Sequence, residues 1–173
     1  STGGKTSWWH DVKVYNNYAY IVSESSGFGM QIFDLTRLRD LSTSGTGNGG
    51  GPNGLRIFTA DALYTGVSTT HNLIINEDTG YLYLLGPNVN GGGQRILDLK
   101  SSPNNPTVVG NISTWGYCHD AQVVVYDGPD PDYQGREILV GAFGSNKKVN
   151  IIDVTNKNSP ILISSVTYTN MYY

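Results

Sequence analysis

Apolar and polar side chains alternate in three stretches that begin alike. They read HDVKVYNNYAYIVSE from His10, HNLIINEDTGYLYLLG from His71 and HDAQVVVYDGPDPDYQGREILVGA from His119. Each is a histidine, then Asp or Asn, then a period-two apolar run, a polar turn and a second β-rich run. That period predicts strands and hairpins rather than helices. The turns lengthen from NN through NEDTG to DGPDPDYQG, and each pair leads to a third strand that ends in aspartate: MQIFDLT, QRILDLK and VNIIDVT. In the second and third units, SSPNNPTVVGNIS and NKNSPILISSVTY then supply a proline-led turn and a fourth strand.

Four antiparallel strands repeated at this spacing predict an all-β fold of about three β-propeller blades, starting near residues 10, 71 and 119 of a single region 1–173. In the first unit a short helical turn is expected at Thr36–Leu41, followed by a Ser-, Thr-, Gly- and Asn-rich insertion over 42–54. Such a composition buries too little apolar surface to order itself, so a mobile surface insertion is expected. Three blades leave a strand edge open at each end, whereas propellers close with four or more. The expected partners are the remaining blades of the same protein, other chains, or copies of this chain in a homo-oligomer or fibre.

Composition narrows the functional classes. With 14 acidic and 11 basic residues the net charge is -3, and the only adjacent basic pair, Lys147 and Lys148, falls at an expected hairpin tip. Nucleic-acid binding, which needs a basic stripe, is not expected. No run approaches the roughly 18 apolar residues of a membrane helix, so no transmembrane segment is expected. The opening GGKTS has the tail of a phosphate-binding loop but lacks its first glycine, strand and helix. The chain starts without methionine or a visible signal peptide, which suits a processed chain or a fragment. The single cysteine, Cys118, excludes an internal disulfide and reads as a buried thiol beside a strand start, with a reactive thiol as the alternative.

The strings VKVYNNYAYIVSE, GMQIFDLTRLRD, HNLIINEDTGYLYLLG and YDGPDPDYQGREI, in that order, resemble the choice-of-anchor B family of LVIVD-repeat proteins. The resemblance runs from about Trp8 to Tyr168. It implies a secreted or surface-attached β-propeller with further repeats on either side, and no established activity. Where the family pattern has tryptophan followed by arginine, this chain has Trp9-His10, which sets His10 apart from His71 and His119.

All three histidines hold the same place in their repeats, at the mouth of the strand that lines a propeller's channel. His10, His71 and His119 are therefore candidate ligands for a transition metal such as zinc or manganese. Propeller lyases and oxygenases that ring a metal with histidines offer a geometric analogy. The structural alternative makes each histidine a donor to a neighbouring blade's carbonyl, while Asp11, Asn72 and Asp120 accept backbone N–H groups and fasten blade to blade.

Asp127, Asp130, Asp132 and Glu137 supply hard oxygen ligands in a loop stiffened by two prolines and two glycines, a candidate calcium site. The alternative is a turn whose aspartates cap backbone amides and whose Arg136 pairs with one carboxylate. Glu24, Asp61 and Glu77 are further carboxylates from which a glycosidase pair would have to be assembled. Trp8, Trp9 and the tyrosines serve either sugar stacking or interblade packing. Asn111, in the sequon NIS, is a candidate glycosylation site in a secreted chain.

Two functions follow from these readings. The first is an extracellular or cell-surface scaffold or binding protein, open to self-assembly, with cation-stabilised loops. The second is a metal-dependent lyase or hydrolase acting on an extracellular polysaccharide through a histidine ring on the propeller axis.

Overall fold

The computed structural model describes residues 7–39 and 57–168. The glycine-rich stretch 42–54 lies outside the described residues. Among the described residues the alternating pattern resolves into twelve strands in three four-stranded antiparallel sheets, each a propeller blade. The first blade holds β1 (His10–Tyr15), β2 (Tyr18–Ser23), β3 (Met30–Asp34) and β4 (Ala62–Tyr64). The second holds β5 (Asn72–Asn76), β6 (Tyr81–Leu85), β7 (Gln94–Asp98) and β8 (Thr107–Ile112). The third holds β9 (Asp120–Val125), β10 (Glu137–Phe143), β11 (Lys148–Asp153) and β12 (Ile161–Thr167). Within each blade the strands pair in chain order. The expected helical turn is a single 3-10 turn over Leu35–Leu38. Among the described residues, no helix is long and apolar enough to cross a membrane.

The strands β1, β5 and β9 lie side by side, and the three sheets fan out from that line. Two apolar seams follow from the strand period. The first packs Tyr20, Val22, Met30 and Ile32 of the first blade on Leu73, Leu82, Leu84 and Leu97 of the second. The second packs Ile74, Tyr83, Leu85 and Ile96 on Ala121, Val123, Leu139 and Ile152 of the third. Alternation in β5 and β6 gives the middle blade two apolar faces, which is why its strands read as almost unbroken hydrophobic runs.

Local chemistry repeats along with the strands. Asp34, Asp98 and Asp153, which end the third strands, each accept the N–H two residues on, from Thr36 (2.8 Å), Lys100 (2.8 Å) and Thr155 (2.9 Å). These side-chain turns end the strand and start the connection to the fourth. Gly110 sits opposite the register shift at Ile96/Leu97, and a Cβ there would collide with the carbonyl oxygen of Lys157. Only glycine lets the third blade's outer turn rest on the second blade at that point.

Candidate functional site

The three repeat-leading positions meet where β1, β5 and β9 begin. Register makes them equivalent: Asp11 pairs with Val22, Asn72 with Leu85 and Asp120 with Ala142. Asp11, Asn72 and Asp120 each accept the following backbone N–H at 2.8 Å. They also cross the seams. Asp11 Oδ2 accepts from the Leu73 N–H at 3.3 Å, and Asn72 Nδ2 donates to Asp120 Oδ1 at 3.2 Å. The fastening chemistry weighed for these three residues is thus present in the geometry.

The histidines divide. The His71 and His119 rings lie with centroids 4.3 Å apart, tilted by 50°. His10 turns away and meets Phe28 edge-on at 5.8 Å. The place beside His71 goes to Trp9, whose ring stacks on the imidazole at 4.4 Å and 14° and approaches His119 at 6.2 Å. Trp9, from the first blade, thus packs on a side chain of the second, which is the interblade alternative weighed for it.

His71 does not donate to a neighbouring carbonyl. Its Nδ1 meets Glu24 Oε1, from the end of β2 in the first blade, at 2.6 Å. The His71 side chain is 8% exposed, and its Nε2 is buried without a hydrogen-bond partner among the described residues. An open cleft of about 600 Å³ adjoins Glu24, lined also by Thr69, Asn88, Gly86, Gly92 and Tyr117. Among the described residues, no three His, Cys, Asp or Glu side chains are grouped so as to hold a metal ion. Cys118 is fully buried and burial pushes its thiol up to about 12, so at neutral pH it is a packed thiol rather than a thiolate.

The acidic loop closes on itself. Tyr126 and Gly135 bond through the Tyr126 carbonyl at 2.9 Å, Asp130 Oδ1 accepts the Asp132 N–H at 3.1 Å, and Gln134 donates to the Gly128 carbonyl. Asp127, Asp130 and Asp132 stand exposed. Glu137 is separated from them, because it is the first residue of β10 and faces the second blade. There it accepts from Tyr83 Oη (2.8 Å), Thr79 Oγ1 (3.1 Å) and Lys157 Nζ (2.8 Å) in a buried interblade cluster. Arg136 pairs with Asp153 at 2.8 Å, not with a carboxylate of the loop.

Of the other carboxylates, Asp61 is held by Arg37 at 2.7 Å. Asn111, on the outer strand β8, is exposed and accepts from Asn90 at 2.6 Å and Arg95 at 3.1 Å. The Lys157–Glu137 pair had no sequence signal, since NKNSP reads simply as a turn.

The LVIVD repeat family matches residues 3–29 and 144–168, which include the β1–β2 hairpin and the β11–β12 pair. No curated protein sequence matches the chain. In fold it is similar to the crystal structure of a candidate 6-phosphogluconolactonase from Bacteroides fragilis, with a TM-score of 0.55 and 15% identity. The match covers 91% of this chain and 38% of that one, so the chain spans well under half the length of its structural neighbour. At that identity the likeness is one of fold alone.

Proposed function

We propose that the chain is a three-blade portion of an extracellular or cell-surface β-propeller of the choice-of-anchor B type. In this reading it acts as a scaffold or binding module, and its two outer sheet faces dock against further blades of the same repeat. One observation supports it above the rest. The outer face of the first blade presents Val12 (53% exposed), Val14 and Leu63, and that of the third presents Val124, Val140 (40% exposed) and Val166.

Register makes these faces counterparts of the buried ones. Tyr20, Tyr83 and Val140 occupy the same position, opposite Lys13, Ile74 and Gln122. The first two are buried in seams, and the third lies open. Unpaired apolar rows of this kind mark docking surfaces. LVIVD matches in both end blades suit a neighbour of the same type. An extracellular setting draws on the family resemblance and on the exposed sequon at Asn111. A mass increment at that residue in a eukaryotic secretory host tests the setting.

Light scattering of the isolated chain tests the docking. Copies supply blade-type faces to one another, so the chain associates with rising concentration, and Val12→Lys with Val140→Lys returns it to monomer. A wild-type chain that stays monomeric overturns the reading.

A metal-dependent enzyme acting on an extracellular polysaccharide is the second reading, favoured by the buried, unpartnered Nε2 of His71. Cleavage of acidic or neutral polysaccharides that depends on both added divalent metal and His119 supports it. Cleavage unchanged in His119→Ala removes it.

A further inference from the structure

We propose that His71 and His119 form a two-imidazole site for a divalent transition-metal ion at the inner ends of the second and third blades, with Glu24 as its positioning carboxylate. The site stands independently of the scaffold reading. A carboxylate only accepts, so the 2.6 Å contact with Glu24 Oε1 fixes the hydrogen on His71 Nδ1. In the neutral ring Nε2 then carries a lone pair. That lone pair is buried and meets no donor among the described residues. An unmet buried acceptor is destabilising, a penalty a bound ion would remove. A carboxylate holding one ring nitrogen while the other stays free is the arrangement that orients metal-binding histidines.

The surroundings supply the second ligand and limit the rest. His119, 4.3 Å from His71 between ring centroids, is the neighbouring imidazole, and Trp9 walls the pair from the first blade. His10, turned to Phe28, takes no part. The Cys118 thiol is engaged with the Asp120 carbonyl at 3.5 Å in the core. With no third protein ligand grouped there among the described residues, the open positions fall to water or a bound ligand. His119 also borders a hollow of about 200 Å³ lined by Phe143, Gly144, Lys148 and Tyr168. Two imidazoles without a clustered hard-oxygen set select zinc, cobalt, nickel or copper over calcium and magnesium. Two protein ligands also make the site weaker than a four-ligand structural zinc site.

Cobalt(II) titrated into the chelator-dialysed chain, followed by visible absorption and Trp fluorescence, tests the proposal. We expect saturation at one ion per chain, displacement by zinc but not calcium, and quenching of the tryptophan stacked on His71. His119→Ala abolishes the saturable signal, Glu24→Gln weakens it about 10- to 100-fold, and His10→Ala leaves it unchanged. Circular dichroism of each variant separates lost ligation from lost folding. Since His119 is only partly buried, its variant keeps the test informative if His71→Ala unfolds. Absence of saturable binding by the wild type at millimolar cobalt or zinc, or equal affinity in His119→Ala, overturns it.

Discussion

The Tyr83 hydroxyl of the second blade donates to Glu137 Oε1 of the third at 2.8 Å, and Lys157 closes the other carboxylate oxygen at 2.8 Å. Both charged side chains are buried, so the seam between these blades carries an ion pair shielded from water. Burial and the adjacent Glu137 charge drive the Tyr83 hydroxyl far above its usual range, so it stays a donor. The first seam uses the same idea without charge: Tyr20 reaches the Pro103 carbonyl of the next blade's outer turn at 3.0 Å.

Removing one member of the pair strands the other. Lys157→Ala is expected to lower unfolding free energy by roughly 3–5 kcal/mol, measured by urea denaturation. The double variant Glu137→Gln with Lys157→Met recovers most of that loss, because the introduced amide keeps an acceptor for Tyr83 and no charge remains buried. Equal losses in the single and double variants would show that Lys157 acts through its ammonium on the Tyr81 ring, 4.3 Å away, which methionine does not replace, rather than through the pair.

Backbone approach makes a second demand at the same seam. Gly110→Ala drives a methyl into the Lys157 carbonyl, and neither partner is a flexible side-chain end. Overpacking of this kind costs roughly 1–3 kcal/mol, or about 2–4 °C per kcal/mol in Tm for a chain of this size. Gly91→Asn is the control. Gly91 has open space around it and a φ of 61°, which asparagine tolerates, so its melting temperature stays close to wild type.

What could be read from the chain follows from how local each determinant is. Blade number and strand positions were legible because period-two alternation and the aspartates at 34, 98 and 153 repeat in register with the histidines. The capping geometry of those aspartates spans only two residues. Glu24 and His71 are 47 residues apart and meet only when the first seam forms, so their pairing had no local trace. Glu137 looked like part of the acidic loop because it follows it directly. Successive strand residues point to opposite faces, so Arg136 goes to Asp153 while Glu137 goes to Lys157.

The repeated aspartates also set the acid limit. The Thr36 hydrogen bonds hold Asp34 below the usual carboxylate range, and those of Ser101, with the Lys100 N–H, do the same for Asp98. Burial opposes ionisation of Asp153, but its bonds to Thr155 and Arg136 outweigh that. All three have folded pKa values below the unfolded one. Their contribution is therefore complete above the ordinary carboxylate pKa of about 4 and is lost as pH falls below it through the folded values. Urea midpoints should be flat from neutral pH down to about pH 5 and then decline, with a shallower decline in Asp153→Asn. A decline no different in that variant would assign acid lability to other carboxylates.

The contact between Asn72 and Asp120 invites a charge test of the fastening at the axis. Asn72 stands where Asp11 and Asp120 stand in their own repeats, and it is the residue that can donate across the seam, at 3.2 Å to Asp120 Oδ1. An aspartate there would still accept the Leu73 N–H, so strand β5 would start as before. What changes is the seam, where a hydrogen bond becomes two like charges at short range. Asn72→Asp should cost roughly 1 kcal/mol at neutral pH and lower Tm by about 2–4 °C. Asp120→Asn in the same chain restores the donor from the other side and should recover the loss. The deficit should also shrink as pH falls toward about 4, where one of the two carboxylates takes up a proton. A deficit that is independent of pH and not rescued by Asp120→Asn would mean that the blades are held at this point by the apolar seams alone, with the Asn72–Asp120 contact a consequence of their packing.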